Sequence, residues 1–219
     1  MIVKPKYTKN QILQKIRELK YSSFTEVFVD CSFDKFNYKL LLLTNDCVKD
    51  TKIIKLLAKW RKKHEFWFPA QFKITVEGTK LWLKQGVIDT VDRLLFMIQA
   101  DERYIGHVGL FRFNFDNITC EIDNIVRGEP LYPGIMTNAI TNMMDWGKKT
   151  LGLVGYTLET TSDNTRALKL YKRLGFVEVK RIPAIHVKKE DRMEWRQAPM
   201  NYKREIARFF VYMKLKDMN

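Results

Sequence analysis

Residues 164–176 read NTRALKLYKRLGF, and most of the fold can be reasoned outward from them. Asn164 is a side chain that accepts a free backbone N–H at the start of a helix. Gly175 supplies the left-handed residue that ends one. Between them Ala167, Tyr171 and Leu174 fall on one face, while Lys169, Lys172 and Arg173 fall on the other. The spacing predicts a short amphipathic helix with a phenol on its apolar stripe. By spacing alone, that phenol is a core residue with its hydroxyl at the rim.

The flanks extend the pattern. VGYTLETT (154–161) before the helix and FVEVKRI (176–182) after it alternate or run apolar like strands. Upstream, NITCEIDNIVRG (117–128) reads as a strand feeding the loop RGEPLYPGIMTNAI (127–140). That loop opens a helix from Gly134 to about Lys149, with Met136, Ile140 and Met143 inward. Such a junction exposes unpaired N–H groups at the positive end of a helix dipole, where a pyrophosphate binds without a side-chain charge. Gly134 lets a phosphate approach the backbone. Two further strands, 92–100 and 103–114, join at Asp101-Glu102. The run 39–46 reads as a buried strand, and 50–67 and 75–87 as helices. A polar loop is expected over 183–203 and a closing strand over 205–215. Thr8 caps a helix through residue 20, and 24–30 alternates like a strand, so 1–37 reads as an N-terminal extension and 38–219 as the main domain. The order β-α-α-β-β-β-α-β-α-β-β implies an α+β architecture, one mixed sheet with helices on both faces.

Composition sets bounds. The chain has 219 residues, 46% of them apolar, enough for one well-filled core. No apolar run reaches membrane-span length and the first residues lack a secretion-signal core. Cys31, Cys47 and Cys120 are odd in number and far apart, as in a cytosolic protein. His64, His107 and His186 are widely spaced, so no metal is expected. The net charge of +14 favours phosphate-bearing partners. Its lysines are scattered, which speaks against nucleic acid, although a non-catalytic nucleic-acid-binding module stays as one alternative.

The strand, Gly-containing loop, helix, strand and then Asn164-x-x-Ala167-x-x-x-Tyr171-x-x-x-Gly175-Phe176 resemble the GNAT superfamily of acyl-CoA N-acyltransferases. The resemblance runs over roughly residues 39–216. It departs at the loop: the family's Gln/Arg-x-x-Gly-x-Gly/Ala would place Gln/Arg at Glu129 and the first Gly at Tyr132. The resemblance implies a GNAT fold whose central strands splay, with acetyl-CoA or another short acyl-CoA as co-substrate. Tyr132, Gly134, Ile135 and Met136 would offer N–H groups to the diphosphate. Ile125, Val126, Leu158 and Thr160 would line the pantetheine arm, with Asn164 and Ala167 beside it. Tyr171 would protonate the departing thiolate. Glu121 and Asp123 share a side of their strand and are candidate bases, with salt bridges to Arg112, Arg127 or a helix lysine as the alternative. The segment LAKWRKKHEFWF looks closest to bacterial enzymes acylating nucleotide-linked amino sugars. It makes Trp60, Arg61 and Trp67, together with Trp195 of the 183–203 loop, substrate-pocket candidates, although core packing would equally explain Trp60. The expected reaction moves an acetyl or 3-hydroxybutanoyl group to a dTDP-type deoxyamino sugar. The alternative acceptor is another small amine or a protein amine. The oligomeric state stays open.

Overall fold

A computed structural model of the chain describes residues 6–216. Ten strands form one sheet in the order β1-β2-β4-β5-β6-β7-β10-β8-β9-β3. The strands are β1 (Phe28–Phe33), β2 (Phe36–Leu42), β3 (Ala70–Phe72), β4 (Leu94–Ala100), β5 (Arg103–Asn114), β6 (Thr119–Arg127), β7 (Gly155–Thr161), β8 (Phe176–Lys188), β9 (Arg192–Gln197) and β10 (Arg208–Leu215). The helices are α1 (Lys9–Lys20), α2 (Thr51–Lys63), α3 (Val76–Leu81), α4 (Ile135–Leu151) and α5 (Thr165–Arg173); α3 continues as a π-helical segment, Trp82–Ile88.

Strand alternation divides the core into two layers. Leu40, Leu42, Leu94, Phe96, Ile98, Val108 and Leu110 share one face with α1, α4 and α5. Leu41, Leu43, Leu95 and Met97 turn to the other, under α2 and the π-helical segment. The sheet is thus covered on both faces, as the continuous apolar run of β4 requires.

Local signals in the sequence appear as geometry. Thr8 and Gln11 form a reciprocal capping box on α1. Asn164 Oδ1 accepts from Ala167 N–H at 3.2 Å, and Gly175 has φ +90°. Two expectations are corrected. Residues 183–203 are not one loop: β8 runs on to Lys188 and pairs with β9 as a hairpin. The strand expected at 24–30 starts only at Phe28, and β2 starts at Phe36. Within the N-terminal extension, Ile12 and Ile16 pack in the larger core and β1 pairs along β2 at the sheet edge.

Two features position the site. β6 and β7 pair in parallel only from Thr119↔Gly155 to Glu121↔Thr157, after which they part; β7 stays with β10 as far as Thr161↔Phe210. β6 also carries a bulge at Asn124 (φ 47°), where its register against β5 slips by one residue. The extra residue inverts the alternation. Ile122 packs in the α4 layer and Val126, four residues on, packs in the α2 layer.

Candidate active site

The parting of β6 and β7 opens a cleft of about 930 Å³ that passes through the sheet. From the α4/α5 side it is lined by Gly134, Met136, Asn164, Ala167 and Tyr171. From the α2/α3 side it is lined by Arg61, Trp67, His107, Glu121 and Asp123. Ile125, Val126 and Thr160 border the gap itself.

The α4 end is built to receive an anion. Gly134 (φ +91°) is the cap, and a Cβ there would come within 2.7 Å of Phe33. Tyr132 adopts φ 54° where the family loop has glycine. Its ring packs on Phe36 and its hydroxyl donates to Asp101, so its side chain lies off the cleft. Ile135 N–H donates to Tyr132 C=O at 3.1 Å and is already used; the N–H groups of Tyr132, Gly134 and Met136 have no acceptor among the described residues. Arg127, Arg166, Lys169 and Arg173 add positive charge along this wall.

Tyr171 is 6% exposed, and burial pushes its hydroxyl well above the usual phenol range. No hydrogen-bond partner for that hydroxyl occurs among the described residues. The Leu158 side chain packs in the core, so that residue could meet the arm only through its backbone.

On the opposite wall both carboxylates meet arginines. Asp123 Oδ2 accepts from Arg93 at 2.5 Å and from Asn124 Nδ2 at 2.8 Å. Its Oδ1 is sealed without a partner, in space left by Gly109, where a Cβ would lie 2.7 Å from that oxygen. Glu121 accepts from Arg112 at 2.9 and 3.2 Å. Burial raises both carboxyls above their ordinary values, against the pull of those arginines. The Arg112 bridge is one the sequence suggested; the Arg93 bridge is not.

Two substrate-pocket candidates are corrected. Trp60 is fully buried in the α2 layer, with Nε1 donating to Glu129 at 3.0 Å and its ring filling the space over Gly128. Its helical spacing marks the stripe facing the sheet, and the sheet there is closed. Trp195 stacks on His186 at 4.6 Å and under the Arg208 guanidinium at 4.1 Å, away from the cleft. Its backbone N–H donates to Pro69 C=O at 2.7 Å, which helps hold β3 on β9. Arg61 and Trp67 do reach the cleft. The Arg61 guanidinium lies 3.9 Å from the Phe68 ring centre, with Nη1 buried and unpartnered, and burial lowers it to about 10.

His107 was missed as a site residue, because it sits inside an apolar strand. It is 4% exposed and lines the cleft, with Nδ1 2.6 Å from Asn124 C=O. Burial, helped by nearby His64 and Arg93, lowers it to about 4, so it is neutral at neutral pH. No group of three or more His, Cys, Asp or Glu side chains among the described residues could hold a metal ion. No helix there is long and apolar enough to cross a membrane.

The family model "Acetyltransferase (GNAT) domain" matches residues 44–177, more than half of the chain. The spermidine N(1)-acetyltransferase of Vibrio cholerae is 26% identical over 129 residues, 59% of this chain and 74% of that protein. The Escherichia coli K12 enzyme of the same name is 29% identical over 111 residues, 51% of this chain and 59% of that protein. Among solved structures, a ribosomal L7/L12 alpha-N-protein acetyltransferase covers 88% of this chain and 97% of its own, at TM-score 0.59 and 11% identity. The Vibrio cholerae spermidine N-acetyltransferase with CoA and spermine covers 81% and 95%, at TM-score 0.58 and 17% identity.

Proposed function

Because the chain belongs to the GNAT acetyltransferase family and is an acyl-CoA-dependent N-acyltransferase, we propose that it moves an acetyl group from acetyl-CoA to the amine of a small molecule by direct attack. The diphosphate sits at the amino end of α4, on the open N–H groups around Gly134. The pantetheine arm enters the gap between β6 and β7, where the backbone edges beyond Glu121 and Thr157 are not paired to each other. Backbone N–H beside the bulge polarises the thioester carbonyl, as oxyanion-type donors do. Tyr171 protonates the leaving thiolate; its raised position keeps the proton in place until the C–S bond breaks. The observation that carries this reading is the end of the β6–β7 pairing, with one phenol at the opening.

The named relatives favour a small amine such as a polyamine as acceptor. One observation favours a second reading, a nucleotide-linked deoxyamino sugar. Both Glu121 and Asp123 are neutralised by arginines, whereas Arg61 lines the cleft between the Phe68 and Phe72 rings with no carboxylate paired to it among the described residues. That wall suits an anion with a flat ring. A free-thiol assay with acetyl-CoA and a panel of spermidine, a dTDP-linked amino sugar and an N-terminal peptide separates the readings. Turnover of spermidine supports the first and of the sugar nucleotide the second. Turnover of the peptide alone overturns both acceptors, and release with none of the three overturns the proposed function.

A further inference from the structure

The acetyl transfer needs two protons handled, one delivered to sulfur and one removed from nitrogen. The sheet separates the two places. Tyr171 belongs to the α4/α5 layer, whereas Glu121, Asp123 and His107 lie on the α2/α3 side. A thioester carbon held in the gap therefore presents its sulfur to one side and an attackable face to the other.

Five groups on the attack side could take the amine proton: Asp123, Glu121, Glu159, His64 and His107. Asp123 Oδ1 is sealed from the cleft, and Oδ2 is held by Arg93 and Asn124. Both oxygens of Glu121 accept from Arg112. Glu159 lies beside Arg112 and accepts from the Tyr212 hydroxyl, and His64 sits at the end of β6 with Nε2 3.0 Å from Arg127 C=O; His107 is the group at the bulge itself. Its Nδ1 lies against the Asn124 carbonyl, and only an N–H can satisfy that oxygen, so Nδ1 carries the proton and Nε2 carries the lone pair. No partner for Nε2 occurs among the described residues. His107 pairs across the ladder with Val126, directly beside the bulge whose backbone faces the gap. The bulge itself creates this arrangement: the left-handed Asn124 turns its carbonyl onto His107 instead of into the ladder.

We propose that His107 is a further catalytic residue, whose Nε2 takes the proton from the attacking amine on the face of the sheet opposite Tyr171. This rests on the acetyl-transfer reading above. The amine sheds its first proton to solvent and enters neutral. Its lone pair forms the N–C bond while the carbonyl π pair moves to oxygen. The adduct's N–H proton passes to Nε2. The carbonyl re-forms, the C–S bond breaks with its electron pair going to sulfur, and sulfur takes the Tyr171 proton. The imidazolium then releases its proton to solvent and the phenolate regains one. An imidazole as weakly basic as this one does not deprotonate a free ammonium ion. It suits the adduct, whose N–H is made acidic by the new bond. Burial and the nearby Arg93 guanidinium disfavour its charged form, so the imidazolium is short-lived.

The test uses the full chain, acetyl-CoA and the fastest amine of the panel. His107→Ala is expected to lower kcat about 10²–10⁴-fold, with KM for acetyl-CoA within about twofold. Added imidazole should restore turnover in that variant in a saturable way. His107→Gln keeps an amide donor for Asn124 C=O but no base, and should stay as slow as His107→Ala. Recovery of full rate by His107→Gln would show a merely structural role and overturn the proposal. So would unchanged kcat in both variants, and either result would leave the acetyltransferase reading standing. CoA binding by each variant, read by thermal shift, confirms that the fold is intact. Thiol release by the unaltered chain with no amine overturns the function and this inference together.

Discussion

Tyr171 and His107 illustrate how far single residues can be read. Tyr171 was legible because Asn164, Ala167 and Gly175 fix its phase on a helix, and that phase turns it inward. Whether inward means core or cleft depends on the neighbouring strands parting, and helical spacing carries no sign of that. Trp60 shows the same ambiguity with the other outcome, since the sheet beneath it is closed. Tyr171→Phe should lower kcat by about 10²–10⁴-fold and leave CoA affinity nearly unchanged, measured by thiol release and by calorimetry. His107 predicts a pH effect on stability. Its folded pKa of about 4 lies below the ordinary 6.5, so between these values the unfolded chain binds the extra proton. Stability is therefore full above about 6.5 and falls as pH drops toward 4, by up to ~3 kcal/mol from this group. Urea melts at pH 7 and pH 4.5 should show a smaller loss for His107→Gln than for the unaltered chain.

At the scale of elements, the sequence revealed what is periodic and hid what is irregular. β4 and β5 were legible as a hairpin because apolar runs flank Asp101-Glu102, both in the left-handed region. The bulge at Asn124 was not, because no glycine announces it, yet it re-aims Val126 and frees His107. β3 was missed because three residues give no alternation to read, and its partner β9 lies more than a hundred residues away. The π-helical segment ends in an arrangement that sequence spacing also does not show. Lys20, buried at the end of α1, donates to Val87 C=O at 2.8 Å, to Ile88 C=O at 3.3 Å and to Thr90 C=O. Lys20→Met leaves these carbonyls without that donor and should cost about 1–3 kcal/mol, with hydrogen exchange rising first over 82–90. Gly128→Ala places a Cβ 1.9 Å from Trp60, on the loop from β6 to α4 against which α2 packs. Overpacking there should cost about 1–3 kcal/mol in a denaturant melt.

At the scale of the molecule, +14 charge and one through-going cleft describe a protein that meets a highly charged cofactor. Acetyl-CoA at roughly a hundredfold excess over its Kd should add about 2.7 kcal/mol. For a chain of this size that raises Tm by about 5–10 °C; no shift would count against the cofactor site. The mixed architecture was legible from element order. Its sheet order was not, since β10 enters between β7 and β8 and nothing local encodes that position.

That insertion has a consequence during synthesis. Until residues 208–215 have left the ribosome, one edge of β7 is bare, and its other edge is paired to β6 only from Gly155 to Thr157. β10 bonds the opposite edge of β7 as far as Thr161↔Phe210, past the point where β7 leaves β6, so along the gap β7 is held from one side, by the last strand made. A nascent chain stalled before that point lacks the strand that backs this wall of the gap, however well its helices have formed.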